Sequence, residues 1–201
     1  MFRMLKVIST FTFFIGTCFY FSYYLSTQEK INLEASLPVI SKVKEFKLTD
    51  QNTKNFYSNK MAGKVWVSNF IFTNCQGPCP INTKKMAELQ REFNDAAKIN
   101  FLSITMDPHR DTPEQLKSFA ENYHVDFNQW SFLTGEKKEI LYITKNIFKV
   151  PADEDPINHS TRFVLIDTLG SIRGFYEPQD KTSFEKLRND IKALLNKQTA
   201  V

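Results

Sequence analysis

The chain has 201 residues and 42% hydrophobic content, which suits one ordinary soluble domain plus an appendage. Its formal charge is +4, yet residues 26–201 hold 24 basic and 22 acidic side chains, too even a balance for a phosphate-tracking surface. No basic cluster interleaves with aromatics, and no repeat or low-complexity tract occurs, so the composition argues against nucleic-acid binding.

The N-terminus reads as a membrane segment. Val7 to Leu25 gives 19 residues without a charge, among them Phe11, Phe13, Phe14, Phe19 and Phe21. At the helical rise this spans roughly 28 Å, close to the hydrocarbon thickness of a bilayer. Tyr20, Tyr23 and Tyr24 sit near the far end, where amphipathic rings favour the interface. Arg3 and Lys6 precede the run and no lysine follows until Lys30, which leaves the N-terminus cytoplasmic and the body outside. Residues 1–25 are therefore expected to be an anchor with one transmembrane helix. A cleaved signal peptide is a rival, but the run is longer than a usual h-region and lacks an A-x-A exit. Lipidation of Cys18 is a third reading, with Thr17 a poor residue to precede it. All three export the domain.

Residues 26–42, containing Pro38, read as a tether, and residues 43–201 as the folded domain. Val43–Leu48 and Lys54–Tyr57, around Asp50-Gln51-Asn52, predict an entry hairpin. Val65–Phe72 is nearly continuous in apolar residues, as a central strand covered on both faces should be. Met86, Leu89, Phe93 and Ala97 form a helical stripe, and Phe101–Met106 a second strand. Thr112 and Gln115 bracket Pro113 as a capping box, and Leu116, Phe119, Ala120 and Tyr123 continue that helix. A third helix is expected over Glu136–Ile147. Thr161–Asp167 and Ser171–Tyr176 flank Thr168-Leu169-Gly170 as a hairpin, and Thr182 with Glu185 should cap a closing helix bearing Phe184, Leu187, Ile191 and Leu194. This order predicts an α/β, thioredoxin-like sandwich with an added N-terminal hairpin.

The chemistry concentrates at one joint of that plan. Phe72-Thr73-Asn74-Cys75-Gln76-Gly77-Pro78-Cys79-Pro80 lies between the central strand and the first helix. The positive end of a helix dipole favours thiolate there and should lower a cysteine pKa from its usual ~8.5. Three intervening residues let both sulfurs face one small volume. A purely structural disulfide is the bland alternative, but closing so short a loop stabilises little. His159, in Asn158-His159-Ser160, precedes the strand near Thr161, and that segment packs beside the cysteine turn in thioredoxin-like proteins. A lone histidine is usually just solvated; at this place it is a candidate ligand. His109 reads as exposed loop, and His124 as a helix-end contact.

These motifs resemble the SCO/SenC family, copper proteins associated with assembly of cytochrome c oxidase. The resemblance covers roughly Val43–Leu195. It rests on the C-x-x-x-C-P turn at Cys75 and Cys79, on Asp107-Pro108-His109-Arg110-Asp111-Thr112-Pro113, close to the family's D-P-x-R-D-T-P loop, and on His159-Ser160. Family members commonly carry Pro-Asp plus an aliphatic residue where this chain has Gln76-Gly77-Pro78. The resemblance implies a copper chaperone with Cys75, Cys79 and His159 as ligands. It implies as recipient the oxidase subunit that carries the dinuclear copper site. Softness agrees with the metal: two thiolates suit Cu(I), and imidazole accommodates Cu(II). Zinc is the rival, since Cys₂His plus water is an open zinc arrangement. Asp107 and Asp111 are assigned no ligand role; turn formation and capping explain them. The runner-up function is a thiol–disulfide oxidoreductase using Cys75 and Cys79 as a redox-active disulfide, acting on an oxidase subunit or another exported protein. A peroxidase, suggested by Thr73, accounts for neither His159 nor the second cysteine.

Overall fold

The computed structural model describes residues 16–24, 37–94 and 97–197. Residues 16–24 are helical with exposed side chains. The rest of the expected anchor, including Arg3, Lys6 and Leu25, lies outside the described residues, as does tether 26–36. Among the described residues, no helix is long and apolar enough to cross a membrane.

The described residues from 38 to 197 form one compact unit around a mixed sheet. Its strands are β1 (Ser41–Lys42), β2 (Lys47–Asp50), β3 (Asn55–Tyr57), β4 (Val65–Ile71), β5 (Ile99–Thr105), β6 (Trp130–Thr134), β7 (Phe163–Ile166) and β8 (Ser171–Tyr176), in the order β1-β8-β7-β4-β5-β6-β2-β3. Helices α1 (Pro78–Glu92), α2 (Pro113–Glu121), α3 (Lys137–Tyr142, continued by a π-turn over Ile143–Ile147) and α4 (Lys181–Lys197), with a 3-10 turn over Ser58–Met61, complete the described elements of this unit. β4 pairs in parallel with β5 and antiparallel with β7, and all seven of its residues are buried. A strand enclosed on both edges and both faces has no polar side to show, which is why its sequence does not alternate.

The parallel step from β4 to β5 needs a crossover, and α1 supplies it. α3 covers one face: Ile140, Leu141, Ile143, Ile147 and Phe148 join one core with Trp66, Phe70, Leu102, Ile104 and Leu133. Phe148 lies edge-on to Trp66 at 5.9 Å and to Phe70 at 5.4 Å, the preferred geometry for aromatic pairs. Period-two alternation sends Phe101, Trp130 and Phe132 to the other face, where Phe119 of α2 meets Phe132. A buried relay crosses that face: Trp130 Nε1 donates to Ser103 Oγ at 2.9 Å, and Ser103 Oγ donates to Asn69 Oδ1 at 2.6 Å.

Several expectations change in detail. The entry hairpin pairs Lys47–Thr49 with Asn55–Tyr57, so Val43–Phe46 precede the strand. Ser41–Lys42, expected in the tether, instead pair with Ser171 and Ile172. Strand β6 was not expected; its five residues follow directly on the turn Asp126–Gln129. α1 stops at Glu92, leaving Ala97 exposed in the turn before β5. The closing helix is capped by Asp180, whose carboxylate accepts the Ser183 N–H at 2.7 Å, rather than by Thr182 and Glu185. The Thr112 cap stands, its hydroxyl accepting the Gln115 N–H at 3.2 Å.

Candidate metal and thiol site

The β4-to-α1 joint lies at the carboxyl end of the central strand, where open α/β sheets place their sites. The Cys75 N–H donates to the Phe72 carbonyl at 3.3 Å, folding the chain back, and Pro78 starts α1 where no N–H is needed. Cys75 is half-buried and Cys79 only 2% exposed; neither is in a disulfide. The Cys79 thiol lies close enough to Cys75 for each to feel the other's charge. Burial pushes Cys79 up to about 12, helped by the neighbouring Cys75 and by Asp111, and opposed by the Phe72 backbone. At Cys79 this corrects the expectation that the helix dipole lowers a cysteine pKa at this joint: desolvation of a buried sulfur outweighs the helix end.

Thr73, two residues before Cys75, is pinned from the loop after β5. Its N–H donates to Asp111 Oδ2 at 3.1 Å and its hydroxyl to Oδ1 at 2.5 Å, while the Thr105 hydroxyl also donates to Oδ2. Burial holds the Asp111 carboxyl above its ordinary range against these bonds. Asp111 is thus a scaffold for the cysteine turn. His109 is exposed on the same loop, and His124 is an exposed residue of positive φ (53°) beyond α2.

His159 is half-buried, its ring edge-on to Phe72 at 5.9 Å. Its Nδ1 lies 2.8 Å from the Ser160 carbonyl. A carbonyl only accepts, so Nδ1 carries the proton and Nε2 keeps the lone pair in the neutral ring. Burial first, then the Lys137 cation, lowers its pKa, with the Ser160 bond opposing. Lys137 itself donates to the Met106 carbonyl at 2.8 Å. The structure therefore brings Cys75 and Cys79 together and sets His159 against the base of their turn. Among the described residues, no three His, Cys, Asp or Glu side chains stand close enough to hold a metal together. The thiol pair suits a soft cation, and the neutral imidazole keeps its lone pair on Nε2.

Three neighbours escaped the sequence reading. Tyr123, read as helix stripe, has its hydroxyl pKa raised by burial and by both cysteines, so it lies within electrostatic reach of the pair. Lys137 and Asn82 carry no motif of their own; only topology brings them here.

A family model for SCO1/SenC matches residues 36–196. The chain belongs to the SCO1/SenC family. It is 35% identical over 162 residues to the SCO1 protein homolog of Bacillus subtilis (strain 168), covering 78% of this chain and 84% of that protein. Among solved structures it is similar to BsSco, a member of the Sco family of cytochrome c oxidase assembly proteins in which a disulfide switch was identified. That match has a TM-score of 0.69 at 33% identity, over 79% of this chain and 95% of that one. It is also similar to yeast Sco1 with copper bound, with a TM-score of 0.61 at 26% identity, over 76% of this chain and 89% of that one. The SCO1/SenC match bears out the expected thioredoxin-like architecture, and it spans the joint, the Asp107–Pro113 loop and His159 together.

Proposed function

We propose that this chain is an extracytoplasmic copper chaperone that holds copper as cargo on Cys75, Cys79 and His159. Its recipient is the cytochrome c oxidase subunit with the dinuclear copper site. The observation that carries the reading is a pair of free, adjacent thiols at the end of the central strand of a SCO1/SenC domain. Two thiolates match Cu(I), and a neutral imidazole with Nε2 free adds the harder donor that Cu(II) prefers. Copper-bound yeast Sco1 and the oxidase-assembly role of BsSco support both cargo and destination. The uncharged run Val7–Leu25, with Arg3 and Lys6 ahead of it, supports a membrane anchor that keeps the domain outside the cytoplasm.

Disulfide exchange is the second reading, favoured by the two neighbouring unpaired thiols and by the switch in BsSco. One experiment separates the two. Parent, Cys75→Ser, Cys79→Ser and His159→Ala proteins are titrated with Cu(I) and Cu(II) and assayed for disulfide-reductase turnover. A chaperone should lose both copper states with either cysteine, and mainly Cu(II) with His159. Turnover with no copper binding by the reduced parent would leave the exchange reading instead.

A further inference from the structure

Asparagine is a poor helix former because its side chain competes for backbone hydrogen bonds, and a buried amide is tolerated only when bonded. Asn82 nevertheless lies inside α1, three residues after Cys79, and is 4% exposed. Its Nδ2 donates to the Thr161 carbonyl at 3.2 Å, and its Oδ1 accepts from Gln179 Nε2 at 3.1 Å. The carbonyl cannot donate, so the first bond fixes which way the amide faces. Thr161 is two residues past His159, on the segment entering β7, and Gln179 lies in the turn before α4. One side chain thus joins the Cys79 helix, the His159 segment and the β8–α4 turn.

Apart from the His159–Phe72 ring contact and the exposed Arg162–Glu177 ion pair, the His159 segment is otherwise bonded within itself. Asp155 N–H reaches Asp153 Oδ1, Ile157 N–H reaches Asp155 Oδ1, and Ser160 N–H reaches the Pro151 carbonyl. Such local turns shape a loop but do not set its offset from another element. We infer that Asn82 is a positioning residue, which fixes the His159 segment against α1 so that the imidazole is presented to whatever Cys75 and Cys79 hold. The inference rests on the reading of His159 as a copper ligand. Asn82 touches no copper itself; it acts through the Thr161 backbone, as outer-shell partners of metal ligands do.

Asn82→Leu removes both bonds at similar size, and the isosteric Asn82→Asp keeps an acceptor for Gln179 but cannot donate to Thr161. These variants, the parent and His159→Ala are compared as full-length protein in detergent. Three readouts are taken: Cu(I) and Cu(II) affinity, imidazole nitrogen coupling in the Cu(II) spectrum, and amide exchange of residues 157–162 in the metal-free protein. Both Asn82 variants should weaken Cu(II) binding about 10-fold or more, lose nitrogen coupling and speed exchange in that segment. Cu(I), held by the thiolates, should change by less than about threefold. Should Asn82→Leu fail to fold, Asn82→Asp decides. Parent-like Cu(II) binding and exchange in the Asn82 variants, with His159→Ala impaired, overturns the positioning role alone. Parent-like Cu(II) binding by His159→Ala overturns the ligand reading, and this inference with it.

Discussion

The Asp111 carboxylate takes both the backbone N–H and the hydroxyl of Thr73, 38 residues earlier in the chain and two residues short of Cys75. Asp111→Ala would strand the Thr73 N–H and free the Thr105 hydroxyl, at a cost of about 1–3 kcal/mol. The pH dependence has a definite sign. The folded carboxyl binds its proton more tightly than the unfolded one, so Asp111 lowers stability as pH rises from the ordinary aspartate range through its raised folded value. The substitution should therefore cost more in mildly acid solution than at neutrality. Urea melts at the two pH values check this, and equal costs would count against it.

Cys75 and Cys79 should differ sharply in reactivity. A thiol held near about 12 is thiolate in only about one molecule in 10,000 at pH 8, and Cys79 is also 2% exposed. Native, reduced protein treated with iodoacetamide should be modified at Cys75 well before Cys79, which should react only on unfolding. Cys18 is exposed too, so the readout is peptide mapping rather than a thiol count. Equal rates at Cys75 and Cys79 would contradict this burial.

How much of this was legible in advance depends on whether the signal is local. The run Val65–Phe72, the Thr112 cap and the turn Thr168-Leu169-Gly170 announce themselves in a few consecutive residues, and the strand, helix and hairpin follow. The placement of Cys75, Cys79 and His159 near the end of the central strand was readable because their types are scarce and their places follow from the strand order. β6 was not readable as a strand: Trp130-Ser131-Phe132-Leu133-Thr134 is short, and its partners β5 and β2 are remote in sequence. The direction of the Cys79 shift failed for a related reason. A helix end is visible in sequence, but the burial that overrides it is a property of the packed fold. Asn82, Asp111 and Lys137 matter through hydrogen bonds of long or middling range, which no local pattern encodes.

The Trp130–Ser103–Asn69 relay gives a prediction for the core. Ser103 lies between the indole N–H and the amide oxygen, and all three residues are buried. Ser103→Ala removes the acceptor for one and the donor for the other. Its cost should be about 1–3 kcal/mol, well above that of losing one exposed hydroxyl. Denaturant unfolding followed by Trp fluorescence should show a lower midpoint at unchanged slope. An unchanged midpoint would mean that water or a shifted rotamer restores the bonds.

Copper loading should be coupled to protons, with Cys79 and not His159 as a source at neutral pH. A thiol must lose its proton to bind a metal, and Cys79, pushed up to about 12, still carries its own at neutrality. Displacing that proton makes the apparent Cu(I) affinity rise about tenfold per pH unit from this group alone. His159 behaves oppositely. Burial and the Lys137 cation lower its pKa, so the ring is already neutral at pH 7 and has no proton to give up. As pH falls, its Nε2 should stay available below the range in which a free imidazole charges. Calorimetry in two buffers of different ionisation enthalpy counts the protons released on binding. At pH 7, His159→Ala should release as many on Cu(I) loading as the parent. If His159→Ala released fewer, the imidazole would be charged in the metal-free protein, and its shielding behind Phe72 and Lys137 would not govern its state.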